Sequence, residues 1–199
     1  MLFRSETVFH ELTHAAHYNK VGSSWYSTFV GLELSEIILD PLLPGEKPYG
    51  DGTRPGSGYV GLGESWAYYM GHVLTNRKYG AISPQFNEQG IWYSNGLPEP
   101  TLNSNLNLLE DFSPNRTNDP FRWIPQGLFY DLFDDRNDRA LTGNILLPVD
   151  NVLNYTNQQF FNAIDGDIIT IPAYRQRLLD ENGNNQAANV NALFGFYNY

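Results

Sequence analysis

The sequence predicts a mainly α-helical single domain with long loops. Three observations predict it. Apolar residues recur at helical spacing in several separate windows, beginning with Val8, Leu12, Ala15 and Ala16. Helix-start and helix-stop residues bracket those windows. Between them lie stretches dense in Gly, Pro and Asn, while charged residues make up only 17% of the 199-residue chain, too few for a charge-laced helical bundle. Neither an internal repeat nor a heptad pattern is present. Residues 1–199 read as one domain, with two crossed helices in 1–80 and a helical remainder in 81–199.

The elements follow in order. Ser5 caps a helix running to about Asn19, Glu6 suits its first turn, and Gly22 lies soon after its end. Trp25 to Leu39 is apolar but mixed in period and reads as a short strand or helix. Asp40 to Gly63 holds eleven Gly and Pro residues and reads as a loop. A second clear helix is expected from Glu64 to about Arg77, with Trp66, Tyr69, Met70 and Val73 toward a core. Leu102 to Glu110 is a further candidate helix, and Trp123 to Phe133 an aromatic one. Thr156-Asn157-Gln158-Gln159 has the form of a capping box heading a helix to Ile164. Pro172 opens a helix through Leu179, stopped by Asn182-Gly183, and Gln186 to Phe194 is the last.

The bulk chemistry excludes several functions. A net charge of −10 with no Lys/Arg cluster makes nucleic acid and anionic membrane surfaces poor partners. No apolar run has membrane-spanning length. The chain contains no Cys, which removes disulfides, all-cysteine metal sites and thiol nucleophiles. The N-terminus has no signal-peptide core, yet the chemistry starts nine residues in, so upstream residues are expected to have been removed. The acidic, Asn- and Tyr-rich, Lys-poor composition points to an extracellular or cell-envelope location.

The chemistry lies in His10-Glu11-Leu12-Thr13-His14, an H-E-x-x-H pattern. Residues four apart share one helix face, so both imidazoles reach one ion at roughly 2.0–2.1 Å. Glu11, one step round the helix, lies beside the open side of that ion and suits a general base that moves a proton from water to a leaving amine. Zn2+ is the expected metal. Only four His occur in the chain, and three fall within eight residues. A third ligand is required for a catalytic site, and Glu64 at the head of the second helix is the candidate. His17 sits a further turn along, too far to share the ion, and reads as a surface or supporting residue. His72 lies about 12 Å beyond Glu64 along the helix and reads as structural.

H-E-L-T-H followed by Glu64 on a downstream helix resembles the gluzincins, the thermolysin-like group of zinc metallopeptidases. The resemblance covers about the first eighty residues. It implies a zincin-like C-terminal lobe, zinc held by His10, His14 and Glu64, Glu11 as catalytic base, and a peptide or protein substrate. Two departures stand out. Tyr68 occupies the position where thermolysin-like proteins carry an Asp that orients a metal-bound His. The chain also has no room for the mixed sheet that precedes the H-E-x-x-H helix in zincins.

Other patterns carry less. Gly56-Ser57-Gly58-Tyr59-Val60-Gly61 matches G-x-G-x-x-G, but a Pro-rich loop precedes it where a nucleotide site needs a strand. Asp131, Asp134, Asp135, Asn137 and Asp138 offer oxygen ligands for Ca2+, without the spacing of an EF-hand; a solvated acidic turn is the plainer expectation. The alternative to a peptidase is a non-catalytic secreted or envelope binding domain that retains a zincin-like zinc site. Its sign would be several aromatics lining a surface away from the metal, whereas a peptidase should bury Trp66 and Trp123.

Overall fold

The computed structural model describes residues 5–35, 49, 51–79, 123–135, 137, 139–140, 143, 145 and 147–199. Among them seven helices are delimited and no strand occurs, so the chain is mainly α. They are α1 (Ser5–Val21), α2 (Ser23–Glu33), α3 (Ser57–Tyr79), α4 (Leu128–Phe133), α5 (Asn157–Ala163), α6 (Ile171–Glu181) and α7 (Ala187–Phe196). None of the described helices is long and apolar enough to cross a membrane. The expected helix at Leu102 to Glu110 falls outside the described residues.

α3 is the axis of the structure. Every residue from Val60 to Ala67 is buried, so this stretch has no solvent face. α1, α2, α4 and α6 all pack against it. An aromatic cluster joins α3 to the C-terminal helices: the Phe129 ring lies 5.3 Å from Trp66, 5.8 Å from Tyr69, 5.5 Å from Phe160 and 5.2 Å from Tyr174. Such pairs add roughly 0.5–1.5 kcal/mol each beyond their buried area.

Helix ends in the C-terminal half follow the sequence signals. Thr156 accepts from the Gln159 backbone N–H while the Gln159 side chain receives the Thr156 N–H, a complete capping box. Thr170 caps α6, whose first turn holds Pro172, and Gly183 follows its end at φ +67°.

The Trp25 segment, read as a strand or a helix, is helical: α2 runs Ser23–Glu33 and buries Trp25 and Phe29. Four expectations need correction. The aromatic helix is shorter than expected, with only Leu128–Phe133 helical and the residues from Trp123 in turns. α3 begins at Ser57, not Glu64, so Glu64 sits two turns inside the helix. The glycines read as loop breakers are contact points instead: a Cβ at Gly58 would stand 2.3 Å from the Ile169 carbonyl oxygen, and one at Gly63 2.7 Å from the Phe29 ring. Finally, α1 buries the opposite stripe from the one its apolar residues suggest. Thr13, His14, His17 and Val21 face inward, while Val8, Leu12, Ala15 and Ala16 are exposed.

Candidate metal centre

That inverted α1 sets up the site. His10 and His14, one turn apart, meet Glu64 where α1 crosses α3, and the three form a compact group of possible ligands. His10 Nε2 lies 3.0 Å from His14 Nε2 and 3.5 Å from the Glu64 carboxylate, and His14 Nε2 lies 3.0 Å from that carboxylate. Tetrahedral ligands at roughly 2.0–2.1 Å from an ion stand roughly 3.3–3.4 Å from one another, so the three separations fit a single small cation. Among the described residues this is the only such cluster of three or more.

The electrostatics suit a cation equally well. Burial holds His10 down to about 3, helped by the charges of His14 and His72. Burial lowers His14 as well, against the pull of Glu33 and Glu11. Both imidazoles are therefore neutral at pH 7, the form that ligates metal. Two neutral rings pointing Nε2 at each other satisfy only one hydrogen bond between them, and a cation would satisfy both lone pairs. Glu64, 1% exposed, is raised to about 7, chiefly by burial.

Glu11 is exposed on the adjoining stripe of α1, and its charge bears on Glu64, Glu33, His14 and Tyr26. The carboxylate expected to act as base is thus open to solvent beside the cluster. Tyr68, the residue found in place of the expected Asp, packs edge-to-face against the His10 ring, the two centroids 4.8 Å apart.

The remaining histidines are buried too. His17 is not a surface residue: it is 0% exposed, its ring 4.4 Å from Trp25, and neither nitrogen has a hydrogen-bond partner. It lies outside the ligand group, as its extra turn requires. Burial lowers it to about 3. His72 is fully enclosed, lowered to about 4 by burial alone.

Three site residues went unnoticed in the sequence. Glu33, on the last turn of α2, is raised to about 9, by burial first and the neighbouring Glu64 second. Tyr49 hydrogen-bonds Glu64 and Tyr68. The Tyr26 ring stands 6.4 Å from the His14 ring. Glu33 had a legible signal: Trp25, Phe29 and Glu33 recur at four-residue spacing, which places a carboxylate on the buried stripe of α2. Tyr49 had none, since it lies in a Pro/Gly stretch with no period.

The other sequence candidates do not join the site. Asp131 is buried and accepts a 2.6 Å hydrogen bond from the Tyr197 hydroxyl. Asp138, the last of the expected calcium ligands, falls outside the described residues. The glycine pattern at 56–61 enters α3 directly, with no strand before it. No family model, curated protein or solved structure matches the chain.

Proposed function

We propose that the chain carries the zinc centre of a gluzincin-like metallopeptidase, with His10, His14 and Glu64 holding Zn2+ and Glu11 as general base. The observation that carries the reading is the cluster itself: two neutral imidazoles and one carboxylate at 3.0–3.5 Å, with a solvent-open carboxylate next to them. In this reading α1 and α3 are the crossed helices of a zincin-like C-terminal lobe. Zinc, when bound, supplies Lewis acidity and brings the pKa of a coordinated water to about 7. Glu11 accepts the proton of the attacking water and passes it to the leaving amine. Tyr68 keeps the His10 ring in place, and the buried wall of α3 shields Glu64 from solvent.

Elemental analysis with hydrolysis assays on peptide libraries tests this. Wild type should hold about one zinc per chain, Glu64→Ala should lose it, and Glu11→Gln should keep it while losing hydrolysis. A Glu11→Gln variant that cleaves at the wild-type rate would refute the mechanism.

One observation favours the second reading, a secreted or envelope binding domain retaining the zinc site. A cavity of about 390 Å³ is walled by Trp123, Tyr197 and Tyr199 together with Asp51, Thr53 and Asn198. Trp66 is buried as the peptidase reading expects, but Trp123 is only partly so. Glycan binding abolished by Trp123→Ala, with no hydrolysis of any peptide by zinc-loaded wild type, would favour this second reading.

A further inference from the structure

We propose that the cleft between α1, α3 and α5 is a binding site for a single fatty carboxylate, its hydrocarbon chain laid along Trp66, Met70 and Leu74 and its head group set at Lys78. The inference goes beyond the metal centre and uses none of its three residues.

The site begins with a spacing. Trp66, Met70 and Leu74 stand four residues apart on α3 and form one stripe, about 12 Å long at the rise of an α-helix. Together with Phe9 and Leu12 of α1 and Phe161 of α5 they line a cavity of about 420 Å³. Small-molecule sites typically enclose roughly 300–1,000 Å³. The Trp66 and Phe161 ring centroids lie 6.2 Å apart, at the part of the stripe farther from Lys78. Met70 is unbranched and adapts its shape to what lies against it. Leu12 is 56% exposed, so a chain seated in the cleft removes from water hydrocarbon surface that the fold leaves wet.

The walls call for hydrocarbon rather than a polar solute. Among the described residues none of them is charged. Their polar side chains bond within the protein: the Thr13 hydroxyl donates to the Phe9 carbonyl at 2.7 Å, Asn157 Oδ1 accepts from the Tyr69 hydroxyl at 2.6 Å, and Gln158 Nε2 donates to Asn162 Oδ1 at 2.8 Å. A cation stands at one end. Lys78, the next residue of the same stripe, lies with Arg77 in the basic last turn of α3. Its ammonium is 5.6 Å from the centroid of the Phe9 ring, itself a wall of the cavity. An ammonium has three donors and serves more than one acceptor. An apolar trough that ends at a cation fits an amphiphile with one anionic head. The chain's net charge of −10 disfavours an anionic bilayer, which would present many such heads at once.

The test is isothermal titration calorimetry of the full chain with dodecanoate and with dodecanol, both below their aggregation limits. Titrations are run at pH 7 in chelator, so that zinc binding has no bearing on the result. Wild type should bind dodecanoate saturably, one per chain. Ala16 lines the cleft and is exposed, so Ala16→Phe fills the cleft without opening the core. Leu74→Trp fills it from the α3 side, and urea midpoints report folding of both variants. Each should weaken dodecanoate about tenfold or more, as overpacking does. Lys78→Glu exchanges attraction for repulsion at the head group, and should weaken dodecanoate about three- to tenfold while leaving dodecanol unchanged. No saturable binding by wild type, or undiminished affinity in both filled variants, would overturn the proposal. Uptake of dodecanoate only as micelles would overturn it too, because a lipid aggregate and not a single chain would then be the partner. Equal losses of dodecanoate and dodecanol in Lys78→Glu would overturn the choice of a carboxylate.

Discussion

Gly63→Ala sets two effects of similar size against each other, and the structure decides between them. In a helix interior, alanine is better than glycine by about 0.8–1 kcal/mol. The added methyl, however, would stand 2.7, 3.1 and 3.2 Å from three carbons of the Phe29 ring, well inside contact distance. Relief requires the ring to move, and Phe29 is 1% exposed with Trp25, Tyr26 and His14 around it. Overpacking of this kind costs about 1–3 kcal/mol, and a ring confined on all sides belongs in the upper half of that range. The net expectation is a loss of about 1–2 kcal/mol. Urea unfolding in chelator measures it, as a lowered midpoint with unchanged slope. In a Phe29→Leu background, where the smaller side chain leaves room, the same substitution should become neutral or stabilising. A raised midpoint for Gly63→Ala in the wild-type background would refute the reasoning, since helix propensity would then have won and α2 would not be pinned where the site needs it.

Gly58→Ala should cost more, about 3 kcal/mol or more, because its methyl would meet the Ile169 backbone oxygen at 2.3 Å rather than a side chain. The displaced loop also carries the carbonyl that accepts from Trp25 Nε1 at 2.8 Å, so tryptophan fluorescence should shift along with the urea midpoint. Thr156→Ala removes one half of the capping box of α5 and should cost about 1 kcal/mol by the same unfolding assay. Acid should destabilise the fold through His72, whose folded value of about 4 lies below the unfolded 6.5. The unfolded chain takes up the proton first, so the stabilisation is complete above pH 6.5 and is lost as pH falls toward 4, about 3 kcal/mol in all. His72→Gln should lose less stability than wild type between pH 7 and pH 5 in chelator; equal losses would show that His72 is not the responsible group.

The sequence carried the candidate metal ligands more clearly than the helix that holds one of them. His10 and His14 were legible because a four-residue spacing on a helix fixes a shared face without tertiary information. For Glu64 the sequence signal is only partly right: its apolar follow-on suggests a helix head, whereas α3 starts seven residues earlier. The error came from reading Gly58, Gly61 and Gly63 as breakers, although a helix buried against several neighbours needs small residues where backbones approach. The local sequence records that glycine is present, and only the packing says which use it serves. The apolar stripe of α1 misled in the same way. Burying Val8 and Leu12 would favour the helix locally, but the chain turns Thr13, His14 and His17 inward instead, a choice visible only once Glu64 is known to stand opposite.

That choice has an energetic consequence. The α1–α3 crossing buries His14, His17, Glu64 and His72, and both His17 nitrogens, His14 Nδ1 and His72 Nδ1 lack hydrogen-bond partners. Each unsatisfied buried group costs about 1–3 kcal/mol, and burial keeps the imidazoles neutral so that no charge is enclosed. An apolar set of the same volume would pack here at no such penalty, so hydrophobic stability does not account for the arrangement. The residues that bear the penalty divide in two. His10, His14 and Glu64 converge on one point at 3.0–3.5 Å, where a cation would take up their lone pairs and offset part of the cost through binding. His17 and His72 do not reach that point and gain nothing directly from an ion. Their burial follows from the helix faces they share: turning His14 toward α3 carries His17 inward one turn later, and the central position of α3 encloses His72. A single geometric demand, two imidazoles set against one carboxylate, thus explains which polar groups the fold buries and why the apolar side of α1 was left facing out.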